Sequence, residues 1–224
     1  MEIANYKLQI AKEKMLHFLF YILPLVFLVS GCAAFQVGGD IQRGRKALLY
    51  GDPKVALAHF QRAAELDPDY VNKSSPLRVG VWTYIGRANY TSGNLAEASK
   101  ALERARSRHE DDQLAKLYLG LVLARNGDRD RGLREIETGL KGLTGWFDYI
   151  EQYHPDGRFW DPGRPIRKEI QKNLAMISGK EFSWPELISS WEWLGRTLEE
   201  EIDKARKDEM EERKQHQDGD SQND

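Results

Sequence analysis

Cysteine is almost missing from this chain: one among 224 residues, at position 32. A single cysteine excludes an internal disulfide framework and a cysteine-type metal cluster. The five histidines are scattered with no ligand spacing, so no metal site is expected. No phosphate-cradling glycine loop is present, and no serine or cysteine nucleophile stands in a recognisable motif. No cofactor is expected either, and the chain reads as a non-enzyme. Charge of one sign is not in excess, with 33 Lys and Arg against 35 Asp and Glu. Neither half is basic enough to argue for nucleic acid. Long apolar runs are lacking too, apart from Leu16 to Val29, which is too short for a comfortable membrane span. The remainder has the composition of a soluble folded body.

What is present is a repeat. Trp82, Ile85, Gly86, Gly93, Ala98, Leu102 and Ala105 fall at the spacings of a helix–turn–helix unit. Shifting the template forward by 34 residues lands on Lys116, Leu119, Gly120, Gly127, Gly132, Ile136 and Gly139. Shifting it back by 42 lands on Asp40, Arg43, Gly44, Gly51, Ala56, Phe60 and Ala63, with Pro68 five further on. Gly44, Gly86 and Gly120 each sit mid-helix, where glycine is about 1 kcal/mol worse than alanine. Three such costs at matching places imply a partner helix too close for a Cβ. Ala56 and Ala98 are the small residues expected to face them, with Phe60, Leu102 and Ile136 filling the gap between units. Gly51, Gly93 and Gly127 suit left-handed helix ends. Asp52 (before Pro53), Asn94 and Asp128 follow them as N-cap candidates.

This pattern resembles the tetratricopeptide repeat (TPR) family. The resemblance implies an all-α fold: a TPR-like α-solenoid of three helical hairpins over 40–143, closed by a C-terminal helical cap. The match has departures. Asp40 and Arg43 stand where Trp and Leu belong, Asn89 takes a Tyr slot and Glu110 a Pro slot. Lys116, Gly132, Gly139 and Thr144 replace Trp, two Ala and Pro in the third unit.

The N-terminus adds a second resemblance. Lys7, Lys12 and Lys14 precede the apolar run, and Ser30-Gly31 closes it, as in a secretory signal peptide. Val29-Ser30-Gly31-Cys32 resembles a bacterial lipobox, in which the chain is cut before a cysteine that is acylated at sulfur. Residues 1–31 then form the leader, Cys32 the lipidation site and 32–39 a tether. Two or three acyl chains, at about 0.8 kcal/mol per buried CH₂, anchor stably. Ala33 in place of Asp implies, by resemblance to lipoproteins of diderm bacteria, the periplasmic face of the outer membrane.

The loop Pro68 to Ser75 absorbs the longer first interval, and Ser75-Pro76 reads as the start of the next helix. After Leu143 the composition changes, with Trp146, Trp160, Trp184, Trp191 and Trp193 crowded together. Trp146 to Tyr153 reads as a short aromatic helix of its own. Phe159 to Pro165 cannot be regular helix because of its prolines. Ile166, Ile170, Leu174 and Ile177 recur at helical spacing. Ser183-Trp184-Pro185-Glu186 is a capping box opening a long helix that carries Leu187, Trp191, Leu194, Leu198, Ile202 and Ala205 on one face. Residues 144–198 read as the cover for the exposed end of the stack. Trp160, Trp184, Trp191 and Trp193 are also a candidate aromatic partner surface, since Trp is a frequent hot spot. From Glu199 on, eleven acidic residues face five basic ones, so 199–224 reads as the helix end, fraying past Ala205, and a solvated acidic tail.

In TPR proteins the first helices line a groove that takes a peptide or a helix. The resemblance places Ile41, Arg45, Leu48, Thr83, Arg87, Tyr90, Leu117, Leu121 and Ala124 on that wall. Arg45, Arg87, Tyr90 and Arg125 then make it basic and suited to acidic side chains. The expected function is a membrane-anchored scaffold that binds a protein or peptide of the envelope. Two alternatives stay open: a structural subunit of an export or wall-assembly complex, and an enzyme using His154, Asp156, Arg158, Asp161 and Arg164 for acid–base work.

Overall fold

The computed structural model describes residues 34–72 and 77–220, with side chains to 215. The fold is all-α. Eight α-helices stand among the described residues: α1 (34–49), α2 (Pro53–Leu66), α3 (Val81–Thr91), α4 (Leu95–Arg108), α5 (Gln113–Arg125), α6 (Arg129–Tyr153), α7 (Pro165–Gly179) and α8 (Trp184–Asp220). A two-residue antiparallel pair, β1 (Val71–Asn72) with β2 (Val79–Gly80), joins α2 to α3. Cys32, the leader, the Ser75-Pro76 start signal and the last four residues lie outside the described residues.

Successive helices form hairpins that nest at the expected glycines. A methyl group on Gly44 would overlap the ring of Phe60, one on Gly86 the side chain of Leu102, and one on Gly120 that of Ile136. The large residue thus seats on the glycine within each hairpin. At Gly120 the carbonyl oxygen of Gly132 lies close as well. Each hairpin turns at a glycine with φ near +80 to +90°: Gly51 (81°), Gly93 (79°) and Gly127 (93°). Asp52 and Asp128 then cap α2 and α6 by accepting from the Val55 and Arg131 amides. Asn94 makes no such side-chain bond.

Buried polar groups tie the units together. Asp112 caps α5 through the Ala115 amide (2.9 Å), while its other oxygen accepts from the Gly80 amide (2.8 Å) and the Thr83 hydroxyl (2.6 Å). Burial raises the pKa of this carboxyl despite the three donors. Asp40, in the slot where the family has Trp, grips α2 through His59 (2.7 Å) and Arg62 (3.2 Å). Burial opposes its charge, but those two partners outweigh it and lower its pKa.

Four boundaries differ from the sequence reading. α1 starts at residue 34, so most of the expected tether is helix, with Val37 and Ile41 in the core. α3 starts only at Val81, because Leu77 is buried at a bend and Val79 in the short strand β2. α6 is one helix of 25 residues, not a hairpin arm plus a separate aromatic helix. No proline stops it at Thr144, and Leu143, Phe147 and Ile150 keep one apolar face running. α8 runs on well past Ala205, to Asp220, where a solvated tail is expected. Its first turn carries the expected cap, the Glu186 amide donating to the Ser183 hydroxyl (3.3 Å). All six residues of its apolar stripe, Leu187 to Ala205, are buried.

Candidate functional site

The first helices of the hairpins, α1, α3 and α5, share one face, and α8 lies on it. Glu199 of α8 sits between Arg45 of α1 and Arg87 of α3 and takes a charge-assisted bond from each. All three are almost wholly buried, at 1 % exposure for Arg45, 3 % for Arg87 and 1 % for Glu199. Arg45 also reaches Asp203 (2.9 Å). Burial works against the Glu199 carboxylate, but Arg87 and Arg45 outweigh it and hold its pKa below the ordinary glutamate range. Two turns back along α8, Tyr90 donates to Glu192 (2.5 Å), and Arg125 pairs with the same carboxylate. Between them Gly195 lets α8 approach so closely that a Cβ there would overlap the Tyr118 phenol.

Arg45, Arg87, Tyr90 and Arg125 therefore do form one basic wall that binds acidic side chains, and the acids are Glu192 and Glu199 of the same chain. The expectation that this wall stands open to a partner is corrected. Ile41, Thr83, Leu117, Leu121 and Ala124 are buried with it. What remains open is a cleft of about 400 Å³ beside α8, reached by Leu48, Tyr90, Arg125 and Arg196.

The aromatic surface is corrected for two of its four rings. Trp160 and Trp191 are buried at the centre of the cover. Trp160 meets Trp146 edge-on at 5.3 Å and donates its indole N–H to Glu209 (3.2 Å). Trp184 is half-buried between Trp191 and the Arg129 guanidinium, and Trp193 is half-buried over a shallow pocket with Lys172 and Glu186. These rings pack the cover. Among the described residues, the aromatics that do face solvent are Phe35, Tyr50, Tyr149 and Tyr153, which carry no motif.

The loop after α6 is tightly bonded. Asp161, buried, accepts from the Ile166 amide (3.0 Å) and the Arg167 amide (3.0 Å) and so caps α7. Its own amide donates to Glu201 of α8 (2.6 Å). Arg164 pairs with Glu151 and Arg158 with Glu212. His154 accepts from the Asp156 amide (3.3 Å), and Asp156 accepts from Arg213 (2.9 Å). His154, Asp156 and Glu209 bring ligand-type atoms within 4.8 Å of one another, a convergence the sequence does not signal because Glu209 lies more than fifty residues from the other two. Two of the three already serve Arg213 and Trp160.

A second concavity lies on the opposite side of the hairpins from α8's groove. It spans about 610 Å³ between α2 and α4, floored by Trp82, Ile85 and Asn89 of α3, with Ala64 and Ala101 on its walls. Glu65, Glu97, Lys100 and Arg104 rim it, and Arg104 lies 3.7 Å over the Trp82 ring. No helix among the described residues is long and apolar enough to cross a membrane. Searches of protein-family models and of curated proteins return no match to this chain.

Proposed function

We propose that this chain is a lipid-anchored, TPR-like scaffold of the bacterial cell envelope that holds another protein. The observation that supports it is the array of hairpins seated on Gly44, Gly86 and Gly120, whose first-helix face is closed by α8 while a cleft stays open between α2 and α4. An array of this kind offers broad, rigid surface. Its buried polar groups are spent on capping and on joining helices, as at Asp112, Asp161 and Glu199. The lipobox-like Val29 to Cys32 stretch supplies the anchor in this reading, and Ala33 directs it to the outer membrane. The partner contacts the α2–α4 cleft, where apolar Trp82, Ile85 and Ala101 lie within a mixed-charge rim, the arrangement typical of a protein interface.

The test is crosslinking in living cells followed by capture of the full-length chain from solubilised membranes. Glu65→Lys with Lys100→Glu reverses charges at the rim, both on exposed side chains. The expected result is a discrete crosslinked species that the reversed variant loses and a Glu137→Lys control on α6 keeps. Equal capture by both variants places the partner elsewhere, and no crosslinked protein at all sinks the scaffold reading.

A further inference from the structure

Phe35 is the most exposed large apolar side chain described, at 85 %, and it stands in the first turn of α1. Two residues on, Val37 faces the core, so Phe35 points away from the body that the same helix packs against. Leu66, the last residue of α2, is 47 % exposed and lies at the same end of the hairpin. The two line a shallow hollow of about 280 Å³ together with Arg43, Arg62 and Glu65. Arg43 and Arg62 are more than half exposed; each gives one bond to Asp40, at 3.1 and 3.2 Å, and Arg62 also meets His59. A guanidinium carries five N–H donors, so each keeps donors for a further acceptor.

The position of this edge in the chain says what covers it. Phe35 follows Cys32 by three residues, a span of at most about 10 Å even when fully extended. If the acyl groups on Cys32 lie in a bilayer, Phe35 cannot leave the headgroup layer. Aromatic and leucine side chains settle about 5–10 Å into that layer, while arginines above them meet phosphate oxygens. The other end of α1 differs. Tyr50, 79 % exposed, lies fifteen residues on, about 22 Å along the helix axis.

We propose that the Phe35–Leu66 end of the first hairpin is a membrane-contact edge. Phe35 and Leu66 enter the interfacial layer of the phospholipid bilayer that holds Cys32, Arg43 and Arg62 bind its phosphates, and the Tyr50 end points away from it. This orients the hairpins on the membrane instead of leaving them to swing from a flexible anchor. The proposal rests on the anchoring reading above.

The test uses the full chain made in a diderm bacterium with a photoreactive benzoylphenylalanine at Phe35, at Leu66 or at Tyr50. After illumination, mass spectrometry reads phospholipid adducts on each site and, in the same sample, acylation of Cys32. The expected result is at least a tenfold excess of lipid adducts at 35 and 66 over 50. Equal adducts at all three sites, or adducts at 35 and 66 to protein alone, overturn the proposal, and they leave the anchor standing if Cys32 is acylated. Lipid adducts at 35 and 66 with Cys32 bare support the edge and sink the anchor. A bare Cys32 with no lipid adducts sinks both.

Discussion

The Glu199 carboxylate accepts from Nε of Arg45, a residue 154 positions earlier in the chain, and both are sealed from solvent. The bond carries α8 onto the first hairpin, and a second one to Arg87 carries it onto the next. Charge burial of this kind is expensive alone and is sustained here by mutual pairing.

Glu199→Gln leaves the buried Arg87 guanidinium without its counter-ion and Arg45 with Asp203 alone. The loss expected at neutral pH is about 3–5 kcal/mol. Since pairing lowers the folded-state pKa of Glu199, its stabilising effect is complete above the ordinary glutamate range and is lost as pH falls through the folded value. Urea midpoints of wild type and variant should therefore converge on acidification. A gap that stays constant to low pH contradicts the assignment.

Gly86→Ala and Gly120→Ala separate two kinds of close approach. The Gly86 methyl would meet only the Leu102 side chain, whereas that on Gly120 would also meet the Gly132 carbonyl oxygen, which no rotamer change can move. Overpacking costs about 1–3 kcal/mol, and Gly120→Ala is expected to be the worse of the two by chemical denaturation. In the Gly86→Ala, Leu102→Ala double variant the new methyl enters space the leucine vacated, so the loss should be smaller than the sum of the single losses.

Asp161→Ala removes the acceptor of two amides at the start of α7 and should destabilise by about 1–2 kcal/mol. Asp161→Asn keeps one oxygen and should lose less. If the loop instead performed acid–base chemistry, Asp161→Asn would abolish an activity while leaving the melting temperature nearly intact.

Glu209→Ala leaves the half-enclosed indole N–H of Trp160 without its acceptor, a loss of about 1 kcal/mol. Glu209→Gln retains an oxygen and should melt close to wild type. Thermal melts followed by tryptophan fluorescence read both effects, and equal melting of wild type and Glu209→Ala would show that the last turns of α8 do not seat on the cover.

The amino-acid sequence by itself determined the local structure. The glycines at 44, 86 and 120, the turn glycines at 51, 93 and 127, the caps at Asp52 and Asp128, and the stripe Leu187 to Ala205 are all readable because helix period, capping and φ preference act within a few residues. The basic wall of Arg45, Arg87, Tyr90 and Arg125 came from the family resemblance rather than from local rules. Only the tertiary structure decided what lies against it. Glu192 and Glu199 look in sequence like the approach to an acidic tail, and no spacing rule pairs them with arginines 67 to 154 residues away. The Trp-rich stretch went the same way: composition marks rings that seek a neighbour, while burial of Trp160 and Trp191 depends on where α6 and α8 bring theirs. Short-range geometry is written in periodicity, but the choice between solvent, a partner and the chain's own last helix is made by long-range packing, in which desolvation and charge pairing are settled together.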